Sequence, residues 1–266
     1  MDVRVKNNVR VVGAENGPTV MLAHGFGCDQ HLWRGVTHLL GPTCRVVLFD
    51  HVGAGASDRS EWDEEKYSTL EAYAADVVTI AQELGLHGAV FVGHSVAAMI
   101  GVLAVADQPD LFSKLVLLTP SPRYLDDTDY RGGFSREDID ELLESLDSNY
   151  LGWSAAMAPV IMDNPERPEL GEELTASFCR TDPACARAFA RATFLSDNRS
   201  DLARVTVPTL VIECANDSLA PRGVGKYVHD AIAGSELVTL DTSGHCPHLS
   251  DPEVTAAAVL AFVDAS

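Results

Sequence analysis

Val90-Phe-Val-Gly-His-Ser-Val-Ala-Ala-Met-Ile-Gly101 is the stretch around which the chain is organised. Residues 90–92 form a short apolar run that reads as a buried strand, and 96–106 form a small-residue apolar run that reads as a helix. Only Gly93, His94 and Ser95 separate them. A strand that turns this sharply into a helix leaves Ser95 at the corner with its hydroxyl outward, and frees the amide of Val96 to hold an anion. The pattern for such a corner is Gly-x-Ser-x-Gly. Here the last position is Ala97, small enough for close helix–strand packing but carrying a Cβ. Gly-His-Ser alone also suits an ordinary turn, so its partners must be sought elsewhere in the chain.

Upstream, residues 19–23 read as a strand that runs into His24-Gly-Phe-Gly27. In an open α/β sheet, a loop at the carboxyl end of a strand is where ligands sit. Glycines there let the backbone approach a substrate closely. Beside a nucleophilic serine, this loop supplies the second N–H of an oxyanion hole. That role falls to Phe26, with its ring facing the pocket. Residues 2–12 alternate apolar and polar around Asn7-Asn8, which predicts an edge hairpin. Residues 45–50 read as a strand, followed by His51-Val-Gly-Ala-Gly-Ala-Ser-Asp58. That loop lacks both the Lys-Ser/Thr of a P-loop and the Gly-x-Gly-x-x-Gly spacing, so it reads as a tight structural crossover. Ser68-Thr-Leu-Glu71 predicts a capping box. It opens a helix with Leu70, Tyr73, Ala74, Val77, Ala81 and Leu84 inward, ended by Gly85.

Downstream, 114–119 is an apolar strand. Strands thus alternate with helices, which implies a parallel sheet with helices on both faces. From 121 to 201 no strand-like run occurs, and the segment is too long for a bare loop. Ser135 caps a helix carrying Ile139, Leu142, Leu143 and Leu146, and further helices are predicted around 153–161, 169–179 and 183–194. The expected organisation is a core of 1–120 and 202–266 with an inserted helical cap of 121–201. The cap aromatics Tyr124, Phe134, Trp153, Phe178, Phe189 and Phe194 fit either a pocket lining or glue between the cap helices. The sheet resumes at 209–213, followed by Cys214-Ala-Asn-Asp217. A strand at 236–240 leads to Asp241-Thr-Ser-Gly-His245, and a helix at 252–263 closes the chain.

Ser95, Asp217 and His245 therefore each lie just past the carboxyl end of a predicted strand, in the chain order Ser…Asp…His. Parallel strands bring those ends to one edge of the sheet, so three distant residues meet. The order is that of α/β-hydrolases and differs from those of chymotrypsin and subtilisin. A serine hydroxyl is a poor nucleophile at neutral pH, but a neutral imidazole, with a free pKa of about 6.5, takes its proton as attack occurs. Asp217 would hold the tautomer of His245, and the N–H groups of Phe26 and Val96 would hold the oxyanion. Serine at the corner disfavours haloalkane dehalogenase and epoxide hydrolase chemistry, which use a carboxylate there.

At 266 residues the chain suits one α/β unit with an insertion. Its net charge of −20 argues against nucleic acid and anionic membrane as partners. No apolar run approaches a membrane span, and Met1-Asp-Val-Arg-Val-Lys6 lacks the apolar core of a signal peptide. The six cysteines show no paired spacing, which points to buried or incidental thiols in a reducing cytoplasm. A zinc reading of His245-Cys-Pro-His248 has no second ligand pair, so no metal and no cofactor is expected, and Cys246 reads as packing.

Beyond these motifs, His24-Gly-Phe-Gly-Cys-Asp-Gln30, Gly93-His-Ser-Val-Ala-Ala-Met-Ile-Gly101, Ser121-Pro-Arg-Tyr124, Gly132-Gly-Phe134, Asn149-Tyr-Leu-Gly-Trp153, Ser196-Asp-Asn-Arg199 and Gly244-His-Cys-Pro-His248 carry a family resemblance. The chain resembles the RsbQ family of bacterial α/β-hydrolases nearly end to end, and is similar to the plant strigolactone and karrikin receptor hydrolases. The resemblance implies a cap of four helices in a V over an apolar pocket. It implies pocket roles for Phe26, Tyr124, Phe134, Leu142, Trp153, Met157, Phe194 and Leu219, and a monomer. Met157 is softer than the aromatic at that position in the plant receptors. The family also implies a place in a general-stress pathway with a PAS-domain phosphatase as partner, and a small hydrophobic ligand. Two functions follow: a hydrolase of a small hydrophobic ester or lactone, or a signalling receptor with little turnover. C–C bond hydrolysis ranks third, because it demands polar groups for a dicarboxylate.

Overall fold

The computed structural model describes residues 2–265. Its strands are β1 (Arg10–Gly13), β2 (Thr19–Ala23), β3 (Arg45–Leu48), β4 (Ala89–His94), β5 (Phe112–Leu118), β6 (Thr209–Asn216) and β7 (Glu236–Ser243). They form one sheet in the order β1-β3-β2-β4-β5-β6-β7. β1 pairs antiparallel with β3, and every other pairing is parallel. The helices are α1 (Val3–Lys6), α2 (Arg34–Leu40), α3 (Leu70–Glu83), α4 (Val96–Asp107), α5 (Arg136–Ser148), α6 (Tyr150–Met162), α7 (Pro168–Arg180), α8 (Pro183–Phe194), α9 (Arg222–Ala231), α10 (Pro247–Ser250) and α11 (Pro252–Asp264). This is the α/β-hydrolase fold.

The period-two alternation of the strands sorts their side chains into two cores. Met21, Ala23, Phe91, Leu115, Leu117 and Val211 point to the face covered by α3, α4 and α9. Val20, Leu22, Val90, Val92, Val116 and Ile212 point to the face covered by α2 and α11. α4 is buried nearly all round, as its unbroken apolar sequence requires. Helices α5–α8 lie between β5 and β6 and form a third apolar cluster with Cys28, Leu32, Leu219 and Leu249 from the rest of the chain.

Two local expectations fail at the front of the chain. Residues 2–12 do not form a hairpin. Asp2 caps the short helix α1, accepting from the Arg4 N–H at 2.8 Å, and Val5 stays 58 % exposed. Val3 instead packs into the core that contains α3, and Lys6 pairs with buried Asp76 at 2.5 Å. A hairpin's first strand would need a neighbour, and among the described residues β1 finds its only partner in β3. The capping box at 68–71 is also absent. Lys66–Ser68 form a 3-10 turn in which Ser68 Oγ donates to the Glu65 carbonyl at 2.7 Å, so α3 starts after Thr69 with no side-chain cap. The cap predicted at Ser135 is present, and it is a capping box with Asp138 as reciprocal partner.

Candidate active site

The site is built at the carboxyl edge of the sheet, where β4 ends and α4 begins. Gly93 makes that corner possible: an added Cβ would lie 2.3 Å from the Ala97 carbonyl oxygen. Ser95 takes the strained backbone that follows, with φ 58° and ψ −123°. Such a conformation costs a non-glycine residue about 1–3 kcal/mol and persists only where its surroundings enforce it. Here the Ser95 N–H donates to the Leu118 carbonyl at 2.9 Å, which ties the corner to β5. Ala97 is fully buried in the tight space beside Gly93.

Three distant residues meet at this corner. Ser95 Oγ lies 2.7 Å from His245 Nε2, and His245 Nδ1 lies 2.7 Å from Asp217 Oδ2. The other Asp217 oxygen accepts the N–H groups of Leu219 at 2.8 Å and Ala220 at 3.0 Å. Burial alone would raise the Asp217 carboxyl. The charge and hydrogen bond of His245, with the two amides, outweigh it and hold the group below the usual carboxylate range. An ionised Asp217 selects the His245 tautomer with the proton on Nδ1 and leaves Nε2 free to accept from the serine hydroxyl. The geometry thus permits proton transfer from Ser95 to His245 as Ser95 attacks a carbonyl.

The backbone of His245 is clamped from three sides. His94 Nε2 donates to its carbonyl at 2.8 Å, and Thr119 Oγ1 approaches the same oxygen at 3.2 Å. Its N–H donates to the Ile161 carbonyl at the end of α6, at 2.8 Å. The turn after α6 reinforces this contact. Asn164 Nδ2 donates to the Met162 carbonyl at 2.5 Å and the Ser243 carbonyl at 3.0 Å, and Arg167 Nη1 donates to the Ser250 carbonyl at 2.6 Å.

Above Ser95 lies a cavity of about 30 Å³, lined by Phe26, Cys28, His94, Tyr124, Leu142, Trp153, Met157, Ile161, Leu174, Phe178, Thr193, Phe194, Leu219, His245 and Cys246. That volume holds about one water molecule. Seven of the eight residues expected at the pocket are on its wall, and Phe134 is not. Its backbone N–H pairs with the Tyr124 carbonyl at 3.2 Å, and its ring stands behind Tyr124 at 6.4 Å between centroids. Phe189 also turns away and stacks on Tyr73 at 4.5 Å. Tyr124 carries its hydroxyl to 3.4 Å from Ser95 Oγ, and burial pushes that phenol well above its ordinary range, so it remains a donor.

Ile161, Leu174, Thr193, Cys28, His94 and Cys246 are wall residues that the motifs did not single out for the pocket. The helical period of the cap segments carried the first three, since each lies on the inward stripe of its helix. Cys246, read as packing, is buried and also faces the cavity beside Cys28. Contact with Cys246 and with His94 lowers the Cys28 thiol, whereas Cys28 and burial push the Cys246 thiol well above its ordinary value.

The loop after β2 lies against the corner. Gly25 to Cys28 form a turn in which the Cys28 N–H donates to the Gly25 carbonyl at 3.2 Å and Gly27 takes φ 71°. A Cβ on Gly27 would overlap the Phe178 ring, and Ser177 Oγ donates to the Gly27 carbonyl at 3.0 Å, so α7 presses the loop into place. The Phe26 ring is packed edge-on among Trp153, Phe189 and Phe194, each about 6.0 Å away.

Comparison with known proteins gives a consistent picture. Residues 20–258 match the Alpha/beta hydrolase family. The chain is 41 % identical over 262 residues to a probable esterase of Oryza sativa subsp. japonica, covering 98 % of this chain and 97 % of that protein. It is 40 % identical over 262 residues to the karrikin insensitive 2 receptor CA of Petunia hybrida, with the same coverage of 98 % and 97 %. Among solved structures, a hydrolase from Oleispira antarctica superposes with a TM-score of 0.97 at 40 % identity, covering 100 % of this chain and 97 % of that one.

Proposed function

The chain belongs to the alpha/beta hydrolase family, and from that premise we propose that it is a serine hydrolase of the RsbQ type acting on a small hydrophobic ester or lactone. The observation that carries the proposal is the unbroken path Asp217–His245–Ser95, with both links at 2.7 Å, opening into an apolar cavity. Ser95 is the nucleophile. His245 takes its proton and later returns it to the leaving group. Asp217 holds the tautomer and stabilises the imidazolium. The N–H groups of Phe26 and Val96 hold the oxyanion of the tetrahedral intermediate. Water then attacks the acyl carbon and gives its proton to His245, which passes it to Ser95 Oγ as the acyl–oxygen bond breaks and the acid leaves.

The substrate class follows from the cavity wall. Among the described residues it carries no Lys, Arg, Asp or Glu, which disfavours the dicarboxylates of C–C bond hydrolases. Its volume admits a substrate only if side chains or cap helices yield, so small acyl groups are favoured. Hydrolysis of p-nitrophenyl acetate and of a butenolide lactone by the wild type and by Ser95→Ala tests the assignment. Multiple turnover that vanishes with Ser95 supports it, and equal rates for both proteins would refute it.

The tightness of the cavity also favours a second reading, in which occupancy is sensed and turnover is slow. A relative named as a receptor is 40 % identical over 98 % of this chain. On this reading a lactone shifts the melting temperature and gives a single burst of product, and a partner reads the occupied state. The RsbQ resemblance makes a PAS-domain phosphatase in a stress pathway the partner to try.

A further inference from the structure

His24 opens the loop that carries Phe26, yet it faces away from the cavity. It is fully buried, and both of its ring nitrogens are engaged. Nδ1 lies 2.9 Å from the Gly25 carbonyl oxygen, and Nε2 lies 3.1 Å from the backbone N of His51. A carbonyl oxygen only accepts and a backbone N–H only donates. The bonds are therefore satisfied by one tautomer, neutral, with the proton on Nδ1. His51 completes the lock: its Nε2 donates to the His24 carbonyl at 3.1 Å, and the two rings meet edge-on at 4.6 Å.

The Gly25 carbonyl and the Phe26 N–H belong to the same peptide unit. The chain has no cis peptide bond among the described residues, so the N–H points opposite to the C=O. Whatever holds the carbonyl on one side aims the N–H to the other. Two donors hold this carbonyl: His24 Nδ1–H at 2.9 Å and the Cys28 N–H at 3.2 Å. The loop lies directly against the corner of Ser95: a Cβ added to Gly25 would lie 2.8 Å from His94 Nδ1 and 3.1 Å from Ser95 Cβ, and Phe26 borders the same cavity as Ser95.

We propose that His24 is a positioning residue for the oxyanion hole: its Nδ1–H pins the Gly25 carbonyl and so keeps the Phe26 N–H turned toward the oxyanion at Ser95. This rests on the reading of Ser95 as the nucleophile. Without His24 the peptide keeps only the longer turn bond and can rotate, which withdraws one donor from the transition state while leaving the apolar cavity intact.

The test compares His24→Leu, His24→Asn and His24→Gln with the wild type and with Ser95→Ala, using p-nitrophenyl acetate as substrate and phenylboronic acid as a tetrahedral probe. Losing an oxyanion donor outright costs about 10²–10³ in kcat, so His24→Leu, which leaves the Cys28 bond, is expected to lose about 10- to 100-fold. KM stays within about twofold, because ground-state binding does not use the donor. Phenylboronic acid weakens in parallel with kcat. An Asn amide reaches the position of Nδ1 and a Gln amide that of Nε2, so His24→Asn recovers most of the loss and His24→Gln does not. That pair carries the comparison even if His24→Leu fails to fold. Retention of kcat within about threefold in a folded His24→Leu, or equal activities of the Asn and Gln variants, overturns the role of His24 alone. Full activity in Ser95→Ala overturns the hydrolase reading, and the His24 role with it.

Discussion

The backbone N–H of His245 donates to the carbonyl of Ile161, 2.8 Å away at the end of α6. A helix of the insertion thus holds the main chain of the proposed catalytic base. Asn164 bonds the next carbonyl along, Met162, and also Ser243, two residues before His245. Asn164→Ala removes both bonds, and a net loss of about 1–3 kcal/mol of stability is expected for the pair. Because the lost bonds brace His245, kcat should fall by more than the melting shift alone implies. Urea unfolding and ester kinetics on one preparation check both effects.

Strain at Ser95 yields a separate expectation. Its φ of 58° suits glycine far better than a residue with a Cβ. Ser95→Gly should therefore be more stable than Ser95→Ala by about 1–2 kcal/mol, with both variants inactive. Thermal unfolding of the two variants side by side decides the matter. Equal melting temperatures would mean that the corner is not strained.

On the proposed function, the cavity of about 30 Å³ is expected to set acyl-chain preference. Met157 and Trp153 form part of its wall and belong to the apolar cluster of α5–α8. Met157→Ala should shift preference from acetate toward butyrate esters. Burying each added methylene is worth about 0.8 kcal/mol, so the shift is about fourfold per carbon in kcat/KM. A series of p-nitrophenyl esters measures it, and an unchanged chain-length profile would place the acyl group elsewhere.

Acid sensitivity should come from buried imidazoles. His248 is fully buried against Trp33, at 4.5 Å between rings, and among the described residues neither of its ring nitrogens has a partner. Burial, with the neighbouring histidines, holds its pKa well below 6.5. His51 is lowered likewise, by burial and by His24. Below an unfolded pKa of about 6.5, the unfolded chain binds protons that the folded chain refuses. The stability from these neutral rings is therefore full above that pH and is lost as pH falls toward the folded values. His248→Phe keeps a ring packed against Trp33 and loses no hydrogen bond. It should leave stability at pH 8 nearly unchanged and reduce the acid slope by up to about 1.4 kcal/mol per pH unit. Urea titrations between pH 7 and 5 test this.

The sequence carried the sheet and the meeting of Ser95, Asp217 and His245, because alternation and strand-end placement are written locally. The helix boundary at Pro183 was equally legible, since proline and the preceding Asp182 mark it. The N-terminal helix was not, because Val3 and Val5 alternate like a strand while tertiary contacts of Val3 and Lys6 decide the outcome. Ser68 misled for a related reason: its hydroxyl had a nearer carbonyl at Glu65. The displacement of Phe134 from the cavity wall depends on its pairing with Tyr124, a contact that helical periodicity does not encode. Likewise, the His24–Gly25 and His245–Ile161 bonds depend on folded main-chain geometry, although His24 itself stood in a quoted motif.

Intact-protein mass spectrometry during turnover of a slow p-nitrophenyl ester shows whether Ser95 is the nucleophile. One added acyl group is expected on the wild type, mapped by peptide analysis to Ser95, persisting in Asp217→Asn and absent from Ser95→Ala. Hydrolysis that continues in Ser95→Ala, or an acyl group that maps to Cys28 or another residue, would contradict that role.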